Sequence, residues 1–322
     1  MFLSSSITTT TLNLILLHLY RIGGPLLILI GTIGSTMMII LFTQKTFCQY
    51  PSSIYIISRN ISNLCFIYFS ILYETLVVGY NIALSSTNLT YCRFSCYTTL
   101  VFDILSPFYL LLALIDRSLV TSVNVNIRKY STRRLAYSLS ICILIFWLIF
   151  HIHALFNSKM IQTESEFIYC YFQPGLYSTF ITYYSLISKG ILAPLSLIYF
   201  GLQIVRNYRH RCHQVSISSS TIVKNNLSST VRCRDRVTVL ILLKDILMYI
   251  LFSSIMSIYF MYELITEHQA KNLEQRDIEY IIRYLGIFCV CIPFCIGFYT
   301  NLLISKTFRN EVKNLMCIRR RK

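Results

Sequence analysis

Two carboxylates stand inside strongly apolar stretches of the sequence. Glu74 lies in the stretch near 61–81, and Asp103 lies in the stretch near 94–115. A carboxylate in a hydrocarbon environment is costly, so it either has an internal partner or serves a function. Together the two acids could form an anionic pocket for an amine or a basic side chain. The alternative is that an internal cation such as Lys189 neutralises them, and the sequence leaves both interpretations open.

The second candidate is a charged motif, Asp116-Arg117-Ser118, at the end of the same stretch as Asp103. Arg117 could pair with Asp116, or with Asp235 just before the sixth apolar stretch. A charge-assisted pair of the second kind would hold two helices together. The alternative is an arginine that only sets the topology of a basic loop.

The elements that position these residues are predicted from apolar length. A membrane-crossing helix needs about 20 mostly apolar residues. Seven stretches meet this length, with cores near 23–42, 61–81, 94–115, 135–157, 180–205, 237–262 and 280–304. Charged residues make up only 13% of the chain, against about 25% in soluble domains. The sequence therefore predicts an all-α membrane protein, a seven-transmembrane helix bundle, since lipid offers no partner for unpaired backbone amides.

The net charge of +16 is unevenly distributed. Basic residues concentrate in alternate breaks between the stretches and in the C-terminal tail, whereas the other breaks carry slightly more acids than bases. By the positive-inside rule, residues 1–22 form an extracellular N-terminus, 23–304 form the membrane domain and 305–322 form a cytosolic tail. The uneven charge is thus interpreted as a signal of topology. The basic face is expected to contact the lipid bilayer, and no nucleic-acid partner is expected.

Three further charged residues lie near the predicted cytosolic face. Arg59 is counted with the basic residues of that face, and Lys244 is expected to extend its ammonium group to the cytosol. Asp245 is expected to face the bundle, without an assigned role.

The tail contains a short amphipathic pattern. Apolar residues recur every three or four positions at Ile304, Phe308, Val312, Leu315 and Met316. This spacing predicts a cytosolic helix lying on the membrane. Cys317 follows this face and precedes a basic run, so it is a candidate for palmitoylation, with a free thiol as the alternative.

A family resemblance rests on the third stretch. Cys92 precedes Arg117 by about 25 residues, or about 37 Å of helix, which places the two at opposite membrane faces. This arrangement resembles the third helix of rhodopsin-like (class A) G-protein-coupled receptors, with its outer disulfide cysteine and inner Asp-Arg-Tyr motif. Trp147 and Pro194, midway along the fourth and fifth stretches, also resemble that family. The amphipathic tail looks like the start of its helix 8.

The sequence departs from this family at several motifs. Ser118 replaces the expected Tyr, and Asn63 takes the place of a buried Asp. The sixth stretch lacks the expected Trp and Pro, and Gly297–Asn301 occupies the place of Asn-Pro-x-x-Tyr. Thr99 stands where amine receptors carry the ligand-pairing Asp, with Asp103 one turn deeper. The chain therefore resembles a divergent member rather than a monoamine receptor.

The resemblance implies a function at the plasma membrane. An extracellular small molecule or peptide would bind near Glu74, Thr99 and Asp103, and the motif at Arg117 would activate a heterotrimeric G protein. It also implies a disulfide between Cys92 and Cys170, with Cys96 one turn away as a competitor. The acidic outer breaks favour a cationic ligand.

Other residues of the sequence allow two rival functions, a transporter or channel and an intramembrane enzyme, and one glycosylation site. A transporter or channel could use the intramembrane charges as an ion path, although repeated halves are not evident. An intramembrane enzyme would need companions for His151 and His153, so no catalytic residue, cofactor or metal site is expected. Asn88-Leu89-Thr90 is a glycosylation sequon in a predicted outer break.

Overall fold

The computed structural model describes residues 11–82, 88–122, 124–162, 168–172, 175–218, 226–267, 269 and 271–320. Within these ranges, seven helices are long and apolar enough to cross a membrane, which confirms the predicted helical membrane protein. They are α1 (Thr11–Phe42), α2 (Pro51–Gly79), α3 (Leu89–Thr121), α4 (Arg133–Asn157), α5 (Leu176–Arg209), α6 (Asn226–Thr266) and α7 (Leu273–Ile304). The helical conformation after α5 continues to Ser218, and a further helix, α8, spans Lys306–Arg320.

Helix α1 begins earlier than its apolar core near 23–42 suggests. The segment before that core is itself apolar, and its side chains find a partner in α7. Leu16 and Tyr20 are buried, the Tyr20 hydroxyl donates to the Tyr284 carbonyl (2.8 Å), and its ring packs edge-on against Phe288. Residues from Thr11 onward therefore continue the helix of the first apolar stretch.

Helix α3 is the centre of the bundle, in contact with α2, α4, α5 and α6. Its buried residues include Leu110 and Leu114, which pack in one cluster with Leu197 of α5 and Leu242 of α6. We call the end of the bundle that holds Cys92 the disulfide end, and the end that holds Arg117 the arginine end. Helix α3 therefore connects the two ends through the core of the bundle.

A β-hairpin covers the disulfide end, and the sequence did not predict it. Strand β1 (Ser158–Gln162) pairs antiparallel with β2 (Ile168–Phe172), and Met160 lies opposite Cys170. Cys170 is joined by a disulfide to Cys92, near the start of α3. The hairpin is thereby fixed to the central helix.

Three of the described spans contain π-helical turns, and the one in α1 covers Leu19–Gly23. In α2 they cover Ile67–Ile71 and Thr75–Gly79, and Glu74 lies between them. In α5 such a turn covers Leu186–Leu192 and contains Lys189. A π turn adds one residue to a helical turn and so rotates the following side chains, and such turns are frequent at functional sites.

Helix α8 shows the predicted amphipathic pattern, but part of its apolar face packs on the bundle. Phe308 and Val312 are buried, and the Phe308 ring contacts that of Phe298 in α7. Ser305 caps the helix, since its hydroxyl accepts a hydrogen bond from the Phe308 amide (3.2 Å). Ile304, which the pattern placed on the same face, is exposed at the end of α7.

Candidate functional site

A cavity of about 170 Å³ opens between the helices at the disulfide end. Glu74, Thr99 and Asp103, the three residues that the sequence assigned to a ligand pocket, all line it. The hairpin contributes to the same cavity through Phe172, two residues beyond the disulfide. The structure therefore brings the predicted pocket residues together beneath the hairpin.

Asp103 already has a partner in this cavity. The Lys189 ammonium group forms a salt bridge with its carboxylate, and both side chains are largely shielded from solvent. The Tyr249 hydroxyl donates to the carbonyl oxygen of Lys189 (3.2 Å) and so fixes the π turn that carries it. The internal partner considered from the sequence is thus present for Asp103, in a position where it also faces the cavity.

Glu74 shares the cavity wall with a cation that the sequence analysis did not assign to the pocket. Arg283 of α7 lines the cavity and is close enough to Glu74 to attract its carboxylate. With Asp103 and Lys189, the cavity thus holds two carboxylates and two cations. Its formal charge is balanced, which differs from the anionic pocket expected from the acids alone. The available signal was a lone arginine within the seventh apolar stretch.

The rest of the cavity lining is mainly apolar, with a few hydroxyl groups. The apolar residues include Phe66, Leu100, Ile181, Met256, Phe260 and Ile287. The hydroxyl groups come from Ser70, Thr182, Ser185, Ser253 and Ser257. An apolar wall with a few placed polar groups is typical of sites for small molecules.

At the arginine end, Arg117 is buried rather than exposed in a basic loop. Its guanidinium donates a hydrogen bond to the Ser52 hydroxyl and lies over the Tyr50 ring, 5.0 Å from the centroid. The neighbouring carboxylate of Asp116 is also buried and accepts a hydrogen bond from Ser131. The side chain of Asp235 lies outside the described part of the structure, so its contact with Arg117 stays a prediction.

A charged cluster that the sequence argument missed lies between the two ends. Arg59 of α2 forms a salt bridge with Asp245 of α6, and Lys244 contacts the same carboxylate (2.6 Å). The three side chains are only 14%, 6% and 8% exposed for Arg59, Asp245 and Lys244, respectively. The expectation that Asp245 faces the bundle agrees with this burial. The cytosolic positions expected for Arg59 and Lys244 are wrong.

The error has two causes. Helix α2 begins earlier in the chain than predicted, and the Lys244 side chain points into the bundle. Helix α2 begins at Pro51, ten residues before the predicted apolar core, so Arg59 lies within the helix. The Lys244 ammonium group donates inward, to the Gly297 carbonyl (3.0 Å) and the Thr300 hydroxyl (2.6 Å) of α7. The cluster therefore connects α2, α6 and α7.

The other predicted features occupy different places. Asn88 is exposed and caps α3, its side-chain oxygen accepting from the Thr90 amide (2.9 Å). His151 is buried between Trp147 and Tyr184, as an interface residue. The side chain of Cys317 lies outside the described part. In the part of the chain that the structure describes, no group of three possible metal ligands occurs.

Comparisons with known proteins give no family assignment. No protein-family model matches the chain, and none of the curated proteins matches it. The function is therefore inferred from the residues and their geometry.

Proposed function

We propose that the chain is a seven-helix membrane receptor of the rhodopsin-like kind, which binds a small extracellular ligand and activates a heterotrimeric G protein. The observation that carries this proposal is the arrangement along α3. One central helix bears the disulfide of Cys92, the cavity residue Asp103 and the buried Arg117, in that order. The helix α8 that follows the seventh span supports the same assignment.

The basic tail and the basic break after α3 favour a cytosolic position for the arginine end, by the positive-inside rule. The cavity then opens to the outside, where the Cys92–Cys170 disulfide is stable. The chain is accordingly assigned to the plasma membrane, with an extracellular N-terminus and a cytosolic C-terminus.

The mechanism is a population shift between two packings of the bundle. The charged cluster at Asp245 joins α6 to α2, so α6 can move outward only when that salt bridge lengthens or breaks. A ligand that binds the cavity better in the open packing would supply the free energy for this change. Arg117 would then leave Ser52 and Tyr50 and face the G protein.

The ligand chemistry follows from the cavity. A cavity of about 150 Å³ holds a molecule of the size of benzene, so the 170 Å³ found here suits a ligand with about one ring. The apolar wall favours an apolar body, and the balanced charges favour a ligand that carries both a cationic and an anionic group. The earlier expectation of a purely cationic ligand is less well supported by this lining.

A transporter or channel is a weaker proposal on the same residues. An ion path requires charged groups that can exchange partners with a moving ion. Asp103 and Asp245 instead have cationic partners on other helices. Uptake of a substrate into vesicles that contain only this protein would nevertheless favour transport over signalling.

The test is a G-protein activation screen in cells with amine, amino-acid, peptide and lipid libraries. A compound that activates the wild type is then tested on Arg117→Ala, with Arg128→Ala as the control, because Arg128 is an exposed basic residue of the break that follows α3. We expect Arg117→Ala to abolish the response and Arg128→Ala to preserve it, at equal surface expression. A full response in Arg117→Ala would refute the proposed coupling mechanism.

A further inference from the structure

Three sulfur atoms meet at the rim of the cavity. Cys92 is bonded to Cys170 of strand β2. Cys96, one helical turn further along α3, has a free thiol whose sulfur lies 3.5 Å from the Cys170 sulfur. The free thiol of Cys96 is therefore in contact with the disulfide. Its contact is with the Cys170 sulfur, which is also the sulfur bonded to Cys92.

We propose that this cluster is a thiol–disulfide exchange site, in which Cys170 changes its partner from Cys92 to Cys96. The Cys96 thiolate attacks the Cys170 sulfur, the new bond forms as the old one breaks, and Cys92 leaves as a thiolate. Cys92 then takes up the proton that Cys96 has lost. One disulfide and one thiol are present before and after, so the exchange consumes no oxidant or reductant.

The surroundings of the two helix cysteines differ. Cys92 is completely buried, whereas Cys96 is only half-buried, so the resting bond leaves the more accessible thiol free. The Ser158 hydroxyl donates to the Ala154 carbonyl (2.7 Å) and also lies within hydrogen-bonding reach of Cys96. Because a hydroxyl can rotate, Ser158 can donate to the thiolate that begins the exchange.

The exchange has a consequence for the cavity. Cys96 follows Cys92 by four residues along α3, and its sulfur already lies 3.5 Å from that of Cys170. Forming an S–S bond of about 2.05 Å therefore moves the Cys170 sulfur by only about 1.5 Å, toward the part of α3 beyond Cys92. That direction leads to Thr99 and Leu100, which line the cavity. Strand β2 would carry Phe172 with it, since Phe172 is two residues beyond Cys170 and lines the same cavity. Exchange would thus shift Phe172 slightly at the wall of the ligand site, an effect that rests on the proposed function, whereas the exchange itself does not.

Peptide mapping of the full-length protein tests the exchange directly. Trypsin cuts after Arg93, so Cys92 and Cys96 leave in separate peptides, and each can be found bridged to the peptide of Cys170. The protein in lipid nanodiscs is incubated in a glutathione redox buffer, free thiols are blocked with N-ethylmaleimide, and the digest is analysed without reduction. We expect both bridged peptides in the wild type. Detection of the Cys92–Cys170 peptide alone, with Cys96 fully alkylated, would overturn the proposal.

Variants give a second measurement. In Cys92→Ser we expect the Cys96–Cys170 peptide to become the main bridged species, and surface expression to be retained. Cys170→Ser is the matched control, since it removes both bridges, and Cys96→Ser should keep the original one. Alkylation of both Cys96 and Cys170 in folded Cys92→Ser would also contradict the exchange. If Cys92→Ser does not fold, the wild-type map decides. Neither readout involves signalling, so failure of the receptor proposal would leave this test unaffected.

Discussion

The charged cluster at Asp245 leads to an asymmetric prediction. Two cations, Arg59 and Lys244, share a single carboxylate in the bundle interior. Asp245→Asn leaves two buried positive charges without a counter-charge. Arg59→Met or Lys244→Met leaves one cation still paired with Asp245. We therefore expect Asp245→Asn to destabilise the protein considerably more than either methionine variant.

The magnitude follows from the geometry. Both cations contact the same carboxylate, so they lie about 6 Å apart and repel each other by about 3 kcal/mol at an effective dielectric constant of about 20. In Asp245→Asn no carboxylate offsets this repulsion. Removing one partner of a buried ion pair costs about 3–5 kcal/mol in total. With an unfolding entropy of about 2.1 cal/mol/K per residue, 322 residues give roughly 0.7 kcal/mol/K. The expected fall in Tm for Asp245→Asn is therefore about 4–7 °C.

The assay is thermal unfolding of the purified variants in one detergent, followed by tryptophan fluorescence of Trp147 or by loss of soluble monomer. Glu279→Gln is the matched control, since Glu279 forms a single salt bridge with Lys271 near the disulfide end. Its removal should lower Tm by less than Asp245→Asn does, because it leaves only one cation, Lys271, which also lies over the Tyr262 ring. Equal Tm values for Asp245→Asn and Arg59→Met would show that the cations do not depend on one carboxylate, and would refute this reasoning.

Three further predictions concern packing and modification. Gly79→Ala should lower the free energy of unfolding by about 1–3 kcal/mol, because an added Cβ would lie 2.9 Å from the backbone nitrogen of Arg21. Gly297→Ala is the control, since a Cβ there meets no atom within 4 Å. Equal Tm values for the two variants would contradict the close approach of α1 and α2 at Gly79. Phe308→Ala should lower stability by about 3–5 kcal/mol, since its ring is fully buried, and an unchanged Tm would mean that α8 does not pack on the bundle. Asn88→Gln should increase the gel mobility of the protein made in eukaryotic cells, and a mobility equal to that of the wild type would argue against a glycan at this exposed residue.

The amphipathic tail shows where a helical sequence period stops predicting which residues share a face. The spacing of Phe308 and Val312 predicted that they share one helical face, and both are buried in the structure. The same spacing placed Ile304 on that face, although the chain leaves the helical conformation at Ser305 between α7 and α8. A period of 3.6 holds only within one continuous helix, so it says nothing across such a break.

The amino-acid sequence alone determined the seven apolar helices, because the length and hydrophobicity of a span are local properties. It also identified the carboxylates Glu74 and Asp103 as costly residues within those spans. Only the tertiary structure decided their partners. Lys189 and Asp103, or Arg59 and Asp245, meet across different helices, and such a meeting depends on helix rotation, on π turns and on close packing. These quantities arise from contacts between distant segments, and no local pattern encodes them.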